Sequence, residues 1–158
     1  MTSLELRPLS ADEARREHSG EASIFWVDGA PGDEDLVVLG IAADGVPTWL
    51  MLVEGRCVGM IGTHEPLEVG STLEIGYHVA PSVRGCGMAK AAVRLLLNEL
   101  LRAGVAGVVA EVDRRSPHRE ASLAVLRANG FAPLDADIVQ RLFVEPVDGA
   151  DLLHRPLP

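Results

Sequence analysis

Apolar positions along this chain recur in two periods, and the switches between them lay out the elements. Leu4 to Arg7 alternates and predicts a first strand. Ser10 follows as a helix cap, with Glu13 at the reciprocal position of a capping box, so a polar helix is expected there. Gly20 to Pro47 keeps no single period. Ile24, Phe25 and Trp26 precede a turn-rich GAPGDED stretch, and Leu36 to Ile41 is apolar again. A short helix or a pair of loops is expected in this region. Thr48 to Val53, Arg56 to His64 and Thr72 to Val79 then read as three strands, the first two joined by a tight Glu54-Gly55 turn. Gly59 and Gly62 inside the second of these predict a bulge or a close approach of two backbones.

After residue 88 the period lengthens. Val93, Leu96, Leu97 and Leu100 fall at i, i+3, i+4 and i+7, one stripe of a helix, and Gly104 stops it. Val108 to Val112 predicts a buried strand. Ser116-Pro117 predicts the start of a further helix, with Ser116 as its cap and Pro117 at its first position. Leu123 and Leu126 mark its inner face. Asn129-Gly130 ends it, and Phe131 is placed to fold back on it. A final strand is expected from Ile138 to Glu145, and the segment 146–158, rich in Pro, Asp and His, reads as a partly flexible tail. The order predicts one α/β domain over residues 1–158, a mixed central sheet flanked by helices.

Composition narrows the function. The chain has 158 residues, of which 47% are hydrophobic and only 4% aromatic, so its core must rest on Val, Leu, Ile and Ala. A net charge of -9 argues against a nucleic-acid partner, which selects for a basic footprint. Cys57 and Cys86 stand far apart and form neither a disulfide framework nor a metal-ligand pattern, so no metal is expected. The N-terminus has no basic segment followed by an apolar run, and no stretch is long and apolar enough to span a bilayer. No membrane partner and a cytoplasmic location are therefore expected.

The stretch Leu73 to Ala89, LEIGYHVAPSVRGCGMA, carries the chemistry. It reads as a strand, a glycine turn and a helix in direct succession. The open end of a helix offers unpaired backbone amides to a phosphate, and Gly85 and Gly87 clear side chains from its approach. Arg84 can add a charge-assisted hydrogen bond or brace the turn. A dinucleotide-binding turn would need a third glycine within an extended parallel unit, and here that glycine is absent and an antiparallel hairpin precedes. Alternation places Glu74, Gly76 and His78 on one strand face and Ile75, Tyr77 and Val79 on the other. If the first face borders an acceptor cleft, Glu74 can receive a proton through water, with His78 as substitute and His64 a weaker choice.

The spacing R-x-x-G-x-A of Arg84, Gly87 and Ala89 resembles the acyl-CoA-binding turn of the GNAT superfamily of N-acetyltransferases. EIGYHVAPSVRGCGMAKAAVRLLL and the later SLAVLRANGF are similar to the branch that includes the ribosomal-protein N-terminal acetyltransferases. The resemblance implies the single-domain GNAT fold, in which the strands Thr72 to Val79 and Gly107 to Val112 splay apart. It implies acetyl-CoA as cofactor and a primary amine as acceptor, either a small molecule or a protein N-terminus. Transfer would be direct, in a ternary complex. Val79 would pair with the pantetheine arm, and its amide could polarise the thioester carbonyl. Val83, Arg84, Gly85, Cys86, Gly87, Met88 and Ala89 would wrap the pyrophosphate. Ser122 would supply a proton to the departing sulfur. Arg119 stands where this branch usually has an asparagine, and it could instead reach a coenzyme A phosphate. Tyr77 is either a wall of the acceptor pocket or part of the core. A non-catalytic acyl-CoA-binding module with the same fold is the alternative, and a homodimer is left open.

Overall fold

Glu54 and Gly55, at φ 51° and 78°, fold the chain back on itself between two strands buried along most of their length. That hairpin is the start of a sheet which a computed structural model describes over residues 3–134, 137 and 148–158. In chain order the elements are β1 (Leu4–Pro8), α1 (Ala11–His18), α2 (Asp33–Ala43), β2 (Thr48–Val53), β3 (Arg56–Thr63), β4 (Thr72–Val79), α3 (Met88–Arg102), β5 (Gly107–Asp113), α4 (Arg119–Ala128), β6 (Ala132–Pro133) and β7 (Ala150–Pro156). The strands form one seven-stranded sheet in the order β1-β2-β3-β4-β5-β7-β6. β4 and β5 run parallel, with α3 as their crossover, and the other neighbours are antiparallel.

Each face of the sheet has its own core. On one face α3 and α4 lay Val93, Leu96, Leu97, Leu100, Leu123 and Leu126 against Ile61, Ile75, Val108 and Ala110. Full burial of each leucine contributes about 1.5–3 kcal/mol. On the other, α1 and α2 bring Ala14, Leu39 and Ala42 onto Leu50, Leu52 and Met60. Both glycines of β3 are close approaches, as expected. A Cβ on Gly59 would collide with the His78 carbonyl, and one on Gly62 with the Pro47 carbonyl. Gly59 also adjoins a bulge, because Met51 pairs with it while Leu52 pairs with Cys57.

Several expectations are corrected. Within the segment 146–158, read as a partly flexible tail, residues 150–156 form a strand that was not expected. Ala150–Pro156 is β7, which pairs along the whole of β5 from Gly107↔Pro156 to Asp113↔Ala150. Its polar composition misled, because β5 would otherwise leave a row of backbone groups without partners, and Leu153 and Leu157 supply the apolar contacts. Helix α4 begins at Arg119 rather than at Pro117. Ser116 and Pro117 form a turn whose Ser116 hydroxyl accepts from the His118 amide at 3.1 Å. Ser10 caps α1 as expected, but the Glu13 carboxylate faces Arg7 rather than the cap. The unsettled stretch before β2 holds α2. The strand expected from Ile138 to Glu145 lies outside the described residues.

Candidate active site

β4 and β5 pair only from Thr72↔Gly107 to Ile75↔Ala110. Beyond that apex they part, as expected of splayed strands. The hydrogen-bonding pattern shows what the gap presents. The Ala80 amide donates to Val58, and the His64 amide donates to the Glu74 carbonyl. Residues Glu74, Gly76, His78 and Ala80 therefore turn their backbone groups toward β3, and the alternate residues turn theirs toward β5. Past Ile75 the amides of Tyr77 and Val79 face the gap with no partner strand beside them among the described residues. The Val79 carbonyl, also in the gap, accepts from Arg84 Nε at 3.0 Å.

The glycine turn closes the wide end. Pro81–Val83 makes one 3-10 turn, and the chain then passes through Gly85 and Gly87 at φ 78° and 77° into α3. Those two φ values are why glycine stands there. Gly87 caps α3 with no side chain on the helix amides, and the first bond back to the cap is Ala91 N to Gly87 O. The amides from Gly85 to Lys90 make no hydrogen bond among the described residues. They form an anion cradle beside the gap. Val83, Met88 and Ala89 pack half-buried against the core beneath it, and Cys86 is exposed at its rim.

Glu74 stands at the apex, beside Ile75. Its carboxylate lies 3.3 Å from His64 Nδ1, and its amide donates to Glu65. Glu111 of β5 follows the last paired residue, on the same sheet face as Glu74 by register; no sequence pattern singled it out. Tyr77 packs on the α3 side of the sheet, with its hydroxyl 3.5 Å from the Ser122 carbonyl. Burial pushes the Tyr77 phenol up, against a lowering by that hydrogen bond, so it stays neutral at physiological pH. Ser122, half-buried in the first half of α4, thus lies across the gap wall from Tyr77. Arg119 is committed elsewhere. Its Nε donates to Asp151 of β7 at 2.7 Å, and its Nη1 to Glu120. The Asp151 hydrogen bond raises the Arg119 pKa and lowers its own, and Arg114 adds to that hold on Asp151.

A second cluster was not legible in the sequence. Asp35, in the first turn of α2, is 1% exposed. Its Oδ2 accepts from the Gly32 amide at 2.8 Å, and its Oδ1 meets His78 Nδ1 at 3.0 Å. The other ring nitrogen of His78 meets Glu34 Oε2 at 2.6 Å and Arg84 Nη2 at 3.1 Å. Arg84 Nη1 reaches His118 Nε2, at the cap of α4, at 3.3 Å. Burial pushes the Asp35 carboxyl up, but the His78 bond, the Gly32 amide and the charges of His78 and Arg84 together hold it below its ordinary value. The Asp35 bond holds the His78 imidazole above its ordinary value, against burial and the Arg84 charge. The only local signal was the DED run, in which nothing separates Asp35 from its neighbours. Among the described residues no group of His, Cys, Asp and Glu can hold a metal ion, and no helix is long and apolar enough to cross a membrane.

Comparison with known proteins now has geometry to meet. The profile of the acetyltransferase (GNAT) domain matches residues 4–132. No curated protein matches the chain. Among solved structures, a ribosomal alpha-N-protein acetyltransferase in complex with coenzyme A is 18% identical with a TM-score of 0.63, over 99% of this chain and 96% of that one. A phosphinothricin acetyltransferase from Sinorhizobium meliloti, in complex with acetyl-CoA, is 20% identical with a TM-score of 0.59, over 99% and 88%. A Salmonella typhimurium protein solved with acetyl-CoA as its cofactor is 17% identical with a TM-score of 0.61, over 98% and 94%. At these identities the structural likeness establishes the fold.

Proposed function

The chain belongs to the GNAT acetyltransferase family, and on that premise we propose that it transfers an acetyl group from acetyl-CoA to a primary amine by direct attack in a ternary complex. One observation carries the reading. Among the described residues, the amides of Tyr77 and Val79 face a gap without partners, and its wide end is bordered by the partnerless amides of Gly85 to Lys90. A pyrophosphate suits the second set, and an extended amide-bearing arm suits the first.

Acetyl-CoA, when bound, supplies the activated acyl group. The residues of this chain do the rest. Within the expected span Val83 to Ala89, the amides of Val83 and Arg84 are already bonded to the Ala80 and Pro81 carbonyls, so the amides from Gly85 onward hold the pyrophosphate, and Arg84 adds a cation at the mouth. Val79 pairs with the pantetheine arm. An amide on this strand, from Val79 or from Tyr77 nearer the apex, donates to the carbonyl oxygen as it gains charge. Glu74, at the apex, takes the proton of the attacking amine through water. Ser122 returns a proton to the departing thiolate. Arg119, held by Asp151, braces the start of α4 and meets a phosphate only by leaving that partner.

Direct transfer is favoured over an acyl-enzyme by where the thiols are. Cys86 lies in the turn at the wide end, and Cys57 is buried in the α2-side core, where burial pushes its thiol up to about 12. The acceptor is a small-molecule amine or a protein N-terminus. The two reduced cysteines and the need for acetyl-CoA fit a cytoplasmic enzyme.

Calorimetric titration with acetyl-CoA, with desulfo-CoA as control, tests the cradle. Saturable binding near 1 μM, about -8 kcal/mol, is the expected result, followed by turnover on a panel of amines with intersecting double-reciprocal lines. Absence of binding overturns the reading. Binding without turnover on any amine favours a non-catalytic acyl-CoA module instead, and parallel lines overturn direct transfer.

A further inference from the structure

The cluster on α2, β4, the glycine turn and α4 has no part in the transfer step as described above, yet it contains a buried carboxylate aimed at a histidine. Asp35 is enclosed and fixed at both oxygens, so it sets the His78 ring as firmly as the fold sets itself. Glu34, whose side chain is 74% exposed, is a movable partner by contrast. Gly59 lets β3 press against the backbone of His78 and Val79, which fixes the strand that carries the ring. What the ring then holds is Arg84.

Arg84 is a long side chain on an exposed turn. Left alone it would sample many rotamers. Here its three nitrogens meet the Val79 carbonyl, His78 and His118, two from β4 at the gap and one from the cap of α4 across it. The guanidinium therefore spans the mouth of the gap beside the anion cradle. We propose that His78 is a positioning residue for the cofactor half of the site: its ring, oriented by Asp35, sets the Arg84 guanidinium at the mouth of the gap to receive coenzyme A. This rests on the acetyl-CoA reading given above.

The chemistry of the ring makes the arrangement depend on its charge. A neutral ring protonated at Nδ1 donates to Asp35 and accepts from Arg84 at Nε2 once Glu34, 2.6 Å from that nitrogen, turns away. An imidazolium donates at both nitrogens, to Asp35 and Glu34, and repels Arg84. The charged and titratable groups facing the ring are Asp35 and Glu34 from α2 and Arg84 from the turn, with His118 of α4 reached through Arg84. Coenzyme A affinity should therefore rise as pH rises through the His78 titration.

The test compares wild type, His78→Leu and His78→Gln, reading the calorimetric Kd for coenzyme A from pH 5.5 to 8.5 together with KM and kcat for acetyl-CoA. Glutamine can still donate to Asp35 and accept from Arg84, but it does not titrate. At pH 8 His78→Leu should weaken calorimetric coenzyme A binding about tenfold and raise KM for acetyl-CoA in step. His78→Gln should keep most of the affinity and lose the pH-dependent rise that wild type shows beyond the shared titration of coenzyme A. Wild-type affinity in His78→Leu, or a wild-type pH slope in His78→Gln, overturns the inference alone. No binding by wild type overturns the acetyl-CoA reading and this inference with it.

Discussion

The two sides of the gap are built from different material. The proposed cofactor side is backbone: amides of the turn and of β4 that two glycines and a parting pair of strands leave without partners among the described residues. The proposed acceptor side is side chain: Glu74 at the apex, its carboxylate beside His64. A backbone site tolerates many side chains provided the φ angles stand. A side-chain site can be silenced by exchanging one atom in a head group while the shape of the chain is kept.

The sharpest way to separate the two is Glu74→Gln. If Glu74 is the base, kcat should fall about 10²–10⁴-fold while coenzyme A affinity by calorimetry stays as in wild type. Unchanged kcat would instead point to Glu111, across the apex. The opposite result is expected for Gly87→Val. A β-branched residue at φ 77° is strained and re-aims the amides of the first turn of α3. Coenzyme A binding should weaken about 100-fold, near 2.7 kcal/mol, with a saturating kcat much less affected. Retained affinity would mean that the amides of this turn do not hold the anion.

The smallest effect concerns the histidine beside Arg84. His78 is held above its ordinary pKa in the folded chain, so its contribution to stability is fully present below about pH 6.5 and is lost as pH rises through the folded value. Asp35 is held below its ordinary value, so its contribution is lost as pH falls through that depressed value. Thermal unfolding of wild type minus His78→Gln should narrow toward alkaline pH. Stability from this residue should thus decline over the pH range in which its service to the cofactor side increases. A difference independent of pH would show that the Asp35–His78 bond is indifferent to ring charge.

Legibility in the sequence follows the same division. Strand, glycine turn and helix are neighbours in the chain, so local rules predicted Thr72 to Val79, the turn and α3 together, and the family resemblance rested on these residues. The bounds of β2 and the Glu54-Gly55 turn were equally local. Where pairing is remote, local rules failed. Composition marked Ala150–Pro156 as a tail, although β5 needs a partner there. Asp35 and His78 are 43 positions apart, and no pattern within either segment joins them. Arg119 looked free for a phosphate because Asp151, 32 positions on, was hidden in that supposed tail.

What the sequence by itself determined is the set of elements whose causes are short-ranged: apolar periods, caps and the left-handed glycines, each acting through a few adjacent dihedrals. Only the tertiary structure decided how far β4 and β5 stay paired, which backbone groups the parting leaves exposed, and which charges Asp35, His78, Arg84 and Arg119 face. Those depend on contacts between segments far apart in the chain, where burial strengthens each pairing and leaves an unpaired group costly.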